Sequence, residues 1–223
     1  MKKLSLLLAL ILAFTFCVQA QNNETKSSKE EKSNNKEERR SDGKDFFIGA
    51  GIRGNVFIND DATHYSNVWT QPSLGGEVYF GKWFNTKMGA RVLVEGGSLH
   101  PFFQKLTVME HEKFLAGRVD FLLDLTNCIR QDTSDQFYSL VPYVGIGFGY
   151  SFNRVYQANK TKSSGSFLFG GGLLNTFRLS DVISAYLNLG IDFVNANFDG
   201  WKDPKGKPLN GIFSPSIGVV YSF

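Results

Sequence analysis

The sequence of 223 residues has little cysteine, little proline and almost no net charge. Its two cysteines are Cys17 and Cys128. Because Cys17 lies in a segment expected to be removed, the fold is expected to hold without an internal disulfide. The formal charge is +3 and no basic patch is concentrated in one stretch, so no nucleic-acid partner is expected. The sequence therefore does not indicate a disulfide-held fold or a nucleic-acid-binding domain.

A long apolar run is also missing. The longest one, Leu4 to Val18, follows Lys2 and Lys3 and is shorter than the ~20 residues that a membrane-spanning helix needs. It ends on Val18-Gln19-Ala20, which predicts a cleavable secretory signal peptide over residues 1–20. No transmembrane helix is expected in the rest of the chain.

Residues 21–44 contain no aromatic and no branched aliphatic side chain. Such a stretch cannot bury enough apolar surface to offset the entropy lost on ordering. We therefore expect a disordered, charged tail over residues 21–44 and a folded domain over residues 45–223.

Glycine and phenylalanine are abundant in that domain, and apolar residues recur there at every second position. This stride of two predicts strands with one apolar and one small or polar face. Eight segments of about ten residues, the length a tilted strand needs to cross a bilayer, show the pattern. They lie near residues 46–58, 72–84, 87–98, 113–125, 141–152, 166–179, 183–194 and 211–223.

The same alternation fits a soluble barrel, in which the apolar face would point inward. The composition of the polar face favours the membrane alternative, because its glycines would weaken a water-exposed strand but make room inside a narrow barrel. Short links after the second and sixth segments alternate with longer ones, as in outer-membrane barrels. The prediction is an all-β, eight-stranded antiparallel transmembrane β-barrel with short periplasmic turns and long outer loops. Residues 126–140 are an exception, a long link on the short-turn side.

The last strand, Ser216-x-Gly218-x-x-Tyr221-x-Phe223, resembles the C-terminal signal that hands outer-membrane barrels to their assembly machinery. Together with Phe80-Gly81-Lys82-Trp83-Phe84, the Pro142 to Gly147 stretch and the Asn175 to Ser180 stretch, it resembles the OmpA-like and OmpX-like barrels, especially porin-family proteins of Bacteroidota. The resemblance implies a Gram-negative outer-membrane protein in contact with membrane lipids and lipopolysaccharide. The even number of strands predicts that both termini, and with them the charged tail, lie on the periplasmic side. Unlike many OmpA-like proteins, the chain is expected to lack a peptidoglycan-binding domain, because it stops at the barrel.

Charged residues on the polar face are expected to fill the lumen, since an eight-stranded barrel is just wide enough for side chains. Simple register would place Arg53 opposite Glu77 and Arg91 opposite Asp120, with Arg91 also within reach of Glu77. The cluster is interpreted as a static salt-bridged plug, and a gate in a narrow pore is the alternative. The predicted members are Arg53, Glu77, Lys87, Arg91, Glu95, Arg118, Asp120, Asp124, Arg178 and Asp192.

Function is expected to be non-enzymatic, with no cofactor: envelope integrity, surface interaction with an extracellular ligand through the outer loops, or limited small-solute passage. Gly49 to Gly54 matches the dinucleotide fingerprint in letters, but more strand follows it where a helix would be needed. His64, His100 and His111 are interpreted as solvated loop residues. The alternative is a lipid A acyltransferase or deacylase in which His100 activates Ser98.

Overall fold

The computed structural model describes residues 45–58, 72–100, 102–103, 108–109, 112–129, 136–152, 163–199 and 209–223. The predicted signal peptide, the charged tail, His64 and His111 lie outside these residues. The described chain forms strands β1 Phe46–Ile58, β2 Ser73–Trp83, β3 Met88–Leu99, β4 Phe102–Phe103, β5 Val108–Met109, β6 Glu112–Leu123, β7 Tyr138–Phe152, β8 Ser163–Arg178, β9 Ile183–Asn195 and β10 Leu209–Ser222, with helix α1 Leu125–Ile129 and a 3₁₀ turn Ala196–Asp199.

Eight of these strands close into an antiparallel barrel in the order β1-β10-β9-β8-β7-β6-β3-β2. Strands β4 and β5 form a separate two-stranded hairpin between β3 and β6. The predicted fold class is confirmed, and no predicted segment boundary differs from the observed strand by more than about three residues.

The barrel exposes its apolar side chains on the outside. In β10, Ile217, Val219 and Tyr221 are 49–55% exposed, whereas Ser216, the residue next to Ile217, is buried on the opposite face. Strands β2, β6, β7 and β9 show the same alternation. The assignment of faces follows from the stride of two, because successive side chains in a strand point to opposite sides.

The two ends of the barrel differ. The terminal end carries Asp45, Phe223 and the short turns after β2 and β8, and the loop end carries the longer connections after β1, β3, β7 and β9. Trp83 at the terminal end and Phe198 in the 3₁₀ turn at the loop end are both buried in the interior, at 8% and 1% exposure. Each packs into an apolar cluster inside the barrel.

Helix α1 occupies the first part of the long link between β6 and β7. Asp124 caps the helix by accepting a hydrogen bond from the backbone N–H of Asn127 at 3.0 Å. The Asn127 amide donates to the carbonyl oxygen of Thr86 at 2.9 Å, and the backbone N–H of Asp124 donates to that of Lys87 at 2.7 Å. The link therefore joins the turn between β2 and β3 to the β6–β7 connection.

Closure of the barrel joins the first strand to the last. The backbone N–H of Phe46 donates to the Phe223 carbonyl at 3.1 Å, and the N–H of Phe223 donates to the Phe46 carbonyl at 2.9 Å. The outward rings of Tyr221, Phe223, Phe46 and Phe80 stack in succession across this seam, at centroid distances of 5.9–6.2 Å. Such pairs contribute about 0.5–1.5 kcal/mol each beyond area burial.

Within the described part of the chain, no helix has the length and apolar character to cross a membrane.

Candidate functional site: the barrel interior

The interior is divided into three layers along the barrel axis. Towards the terminal end, an aromatic and aliphatic layer contains Phe47, Tyr79, Trp83, Leu93, Leu122, Val141, Tyr143, Leu174, Tyr186 and Val220. Towards the loop end, a second apolar layer contains Phe57, Leu99, Phe114, Ala116, Leu168, Val194, Phe198 and Ile212. Charged side chains lie between them, as in β1, where Arg53 stands between Phe47 and Phe57. In the described part of the chain, packed apolar groups thus flank the charged layer at both ends.

The charged layer is an alternating chain of guanidinium and carboxylate groups. It begins at Arg91, whose Nε lies 2.7 Å from Asp120 Oδ2. Asp120 also accepts from Arg118 Nε at 2.5 Å, and Arg118 Nη1 pairs with Asp192. Asp192 lies 3.7 Å from Arg53 Nη2, and Arg53 Nη1 pairs with Glu95. We call these six residues, together with Glu77, the interior ion cluster; all seven are at most 4% exposed.

Glu77 is held mainly by hydroxyl groups. Its Oε1 accepts hydrogen bonds from the Tyr186 hydroxyl at 2.6 Å and the Ser216 hydroxyl at 2.7 Å. The nearest guanidinium atom is Arg53 Nη1, 3.9 Å from Glu77 Oε2. Glu77 therefore has the weakest ion pair of the four carboxylates.

Arg91 lies between two tyrosine rings at the other end of the cluster. Its guanidinium carbon is 4.8 Å from the ring centroid of Tyr79 and 4.5 Å from that of Tyr143. Among the described residues, Nη1 and Nη2 of Arg91 and both hydroxyls make no hydrogen bond of normal geometry. Cation–π contact, which is stronger in a desolvated site, is therefore the main stabilising contact of this part of the guanidinium.

Glycine makes room for these side chains. A Cβ atom at Gly145 would overlap Asp120 Oδ1, and one at Gly170 would overlap Asp192 Oδ1. By contrast, Gly117 faces outward and a Cβ there would meet no atom within 4 Å. The inward glycines are thus a packing requirement of the ion cluster, as the composition of the polar face indicated.

Seven of the ten predicted lumen residues form the interior ion cluster, and three lie elsewhere. Asp124 is buried but caps α1. Lys87 is in the turn between β2 and β3, and Arg178 pairs with Asp181 at 2.9 Å on the surface of the β8–β9 turn. Where a strand ends, the alternation of faces no longer decides which side chains face the interior. The prediction that Arg178 faces the lumen is therefore wrong, whereas Lys87 and Asp124 simply lie outside the interior ion cluster.

The predicted register is right for one pair and wrong for the other. Arg91 is directly opposite Asp120, as simple register predicted. Glu77 is opposite Gly51, and Arg53 is opposite Gly75, so the expected Arg53–Glu77 cross-strand pair is shifted by two residues. A long connection between β1 and β2 does not constrain register, whereas the buried pattern does.

The four residues of the C-terminal pattern have separate places in the folded barrel. Ser216 and Gly218 face inward, where Ser216 binds Glu77 and a Cβ at Gly218 would overlap the Ala50 carbonyl oxygen. Tyr221 and Phe223 face outward at about half exposure and stack on each other. Packing inside the barrel therefore accounts for half of the pattern.

The structure gives little support to the other candidate sites, which are the dinucleotide fingerprint, the Ser98–His100 pair and a metal site. Gly49 to Gly54 lies within strand β1, where Tyr79 and Tyr186 fill the space beside Gly49 and Gly51. Ser98 and His100 lie at the loop end of β3, and the Ser98 carbonyl oxygen accepts hydrogen bonds from Asn55 and Ser73. Among the residues that the structure describes, no three histidine, cysteine, aspartate or glutamate side chains group together as a metal site.

Four residues of the polar interior are not among the ten predicted members of the plug: the tyrosines at 79, 143 and 186, and Asn188. Tyr79 lies on the same strand face as Glu77, and Tyr186 lies on the same face as Asp192. This shared face was the sequence feature that could have indicated their place beside the charged residues. Their contact with the ion cluster could not be predicted from the alternation of faces alone, because it depends on which strands lie across the barrel from each other.

Comparison with known proteins agrees with this architecture. No family model matches the sequence. The chain is 31% identical over 191 residues to outer membrane protein 40 of Porphyromonas gingivalis, covering 82% of this chain and 48% of the relative. It is 26% identical over 228 residues to outer membrane protein 41 of the same organism, covering 95% of this chain and 56% of the relative. The chain thus spans about half the length of the curated relatives it matches.

Among solved structures, the crystal structure of Neisserial surface protein A has a TM-score of 0.56 at 8% sequence identity, covering 80% of this chain and 97% of that one. This likeness concerns the fold. Its sequence relatives are outer membrane proteins, and its own strands close into an eight-stranded barrel. The chain is therefore an eight-stranded β-barrel with the fold of an outer-membrane barrel, similar in sequence to outer membrane proteins 40 and 41 of Porphyromonas gingivalis.

Proposed function

We propose that this protein is a non-conducting, non-enzymatic outer-membrane barrel that supports the envelope and interacts with its surroundings through the segments at its loop end. The observation that supports the proposal is the filled interior: in the described part of the chain, a buried ion cluster lies between two layers of packed apolar side chains. Eight-stranded barrels commonly have such filled interiors. The alternative of small-solute passage is therefore less well supported than a structural or surface role.

Orientation in the membrane is part of the same proposal. The terminal end would face the periplasm and the loop end the exterior, because short turns and long loops divide in that way in outer-membrane barrels. Assembly machinery would read the C-terminal pattern ending in Tyr221 and Phe223 before the barrel closes. Lipids and lipopolysaccharide would contact the outer surface, and an extracellular ligand would bind through the loops, where specificity resides in such scaffolds.

Planar-bilayer recording of the purified, refolded full-length protein tests the closed interior. We expect a steady baseline for the wild type and for Glu77→Ala, because the apolar layers stay intact when one carboxylate is lost. A porin recorded in the same bilayers shows that insertion can be detected. Discrete current steps from the wild type, or steps that first occur in Glu77→Ala, would support the gate instead of the plug.

Replacement of the loop-end connections separates a surface role from a purely structural one. We expect a variant with residues 59–71 replaced by a short Gly-Ser linker to keep heat-modifiable gel migration. In a deletion strain, this variant should restore resistance to detergent less well than the wild type. Full restoration would contradict a role for this connection.

The lipid A profile tests the enzyme alternative. Measured by mass spectrometry, it should be unchanged by expression of the wild type or of His100→Ala, and a new lipid A species would support the enzyme alternative.

A further inference from the structure

The interior ion cluster contains one carboxylate more than it has guanidinium groups. Its carboxylates are those of Glu77, Glu95, Asp120 and Asp192, and its guanidinium groups are those of Arg53, Arg91 and Arg118. The apolar layers separate this charge from water at both ends. An uncompensated charge in such a place is strongly unfavourable, so either a bound cation or a proton is expected to neutralise it.

The excess negative charge lies at the Glu77 end of the cluster. Asp120 and Asp192 each lie between two arginines, whereas Glu77 and Glu95 share Arg53. Arg53 pairs closely with Glu95 and stays 3.9 Å from Glu77. Neutral hydroxyls orient the Glu77 carboxylate but add no positive charge.

A second observation at the same place is an oxygen atom without a partner. Asn188 is 3% exposed, and among the described residues its Oδ1 has no hydrogen-bond donor. Its amide nitrogen donates to Ser216 Oγ at 3.2 Å, and the Ser216 hydroxyl in turn donates to Glu77 at 2.7 Å. Asn188 and Ser216 are cross-strand neighbours on β9 and β10, and the Ser216 hydroxyl links the amide to the Glu77 carboxylate. Carboxylate, amide and hydroxyl oxygens are ligands that suit hard cations.

We propose that the barrel interior binds one alkali-metal cation, sodium or potassium, at Glu77, Asn188 and Ser216. A single positive charge neutralises the interior ion cluster, and the ligand set is all oxygen with one carboxylate. Since the apolar layers enclose the site, the cation enters as the barrel folds and is retained afterwards.

Refolding and urea unfolding of the full-length protein in detergent micelles test this site, with the fraction folded measured by heat-modifiable gel migration. Sodium or potassium chloride is compared with N-methylglucamine chloride at constant ionic strength and pH. At a concentration about ten times the dissociation constant, the alkali cation should lower the ratio of unfolded to folded protein about tenfold. Glu77→Gln and Glu95→Gln each remove the excess charge and should lose this dependence. Asp181→Asn removes a charge from an exposed turn and should keep it.

Crystals grown from protein refolded in rubidium or thallium(I) salt should show one anomalous peak beside Glu77 and Asn188. Three results would overturn the proposal: unfolding that is the same in all chloride salts, unfolding that depends on pH but on no metal cation, and a cation effect that persists in both glutamine variants. The second of these would identify a proton as the neutralising charge. Two glutamine variants are used so that a folding failure in one leaves the test standing.

Discussion

Arg118→Met is expected to lower the free energy of unfolding by about 3–5 kcal/mol, the usual cost of removing one partner from a buried ion pair. Arg118 contacts both Asp120 and Asp192, and methionine keeps much of its length while removing the charge. Without Arg118, the nearest guanidinium atom to Asp192 is Arg53 Nη2 at 3.7 Å. Urea unfolding of the refolded protein, followed by heat-modifiable gel migration, measures the loss.

Arg178→Met is the matched control. Arg178 was also expected in the lumen, but its side chain is 36% exposed and that of its partner Asp181 is 85% exposed. A surface pair of this kind contributes at most about 1 kcal/mol. Equal losses in the two methionine variants would show that the interior ion cluster does not stabilise the barrel as its geometry indicates.

Gly145→Ala is expected to destabilise the barrel by about 1–3 kcal/mol, the usual range for overpacking a tight interior. The added methyl group would overlap Asp120 Oδ1 and would lie 2.7 Å from the carbonyl oxygen of Val119. Because Asp120 joins two arginines, it cannot move aside without weakening both ion pairs. The same unfolding measurement applies, together with the yield of refolded protein.

Gly117→Ala on the neighbouring strand tests whether position inside the barrel is the cause. Nothing lies within 4 Å of a Cβ at Gly117, so the substitution should leave the free energy of unfolding within about 0.5 kcal/mol of the wild type. A loss in Gly117→Ala as large as that in Gly145→Ala would point to a general effect of glycine in strands instead of interior crowding.

The sequence could predict the fold well because one physical rule, the alternation of faces, determines most of it. Ile217 and Ser216 illustrate the rule. They are neighbours in sequence, yet Ile217 is exposed on the outer surface of the barrel and Ser216 is buried in its interior. The rule fails where a strand ends, as at Lys87 and Arg178, since side chains there bend towards turns. Helix α1 was missed although Asp124 is a typical N-cap residue, because five residues give no helical periodicity to detect.

The interior site could be predicted only in part. Charged residues on the inward face were recognisable, and Arg91 opposite Asp120 followed from a simple hairpin register. Contacts across the barrel were not accessible, such as those of Glu77 on β2 with Tyr186 on β9 and Ser216 on β10. They depend on closure and on how the strands are staggered around the axis, which no single pair of neighbouring segments specifies.

Carbene footprinting from within the lipid phase, read by mass spectrometry at single residues, tests most directly which side chains face the membrane. A lipid-soluble diazirine in vesicles containing the refolded barrel should label Ile52, Ile146, Val119 and Leu187, which are 39–73% exposed on the outer surface. It should leave Arg53, Tyr143, Arg118 and Asn188 unlabelled, since these lie at most 3% exposed in the interior. Label on the second set and not on the first, or no label from the lipid phase at all, would contradict a membrane barrel with an ionic interior.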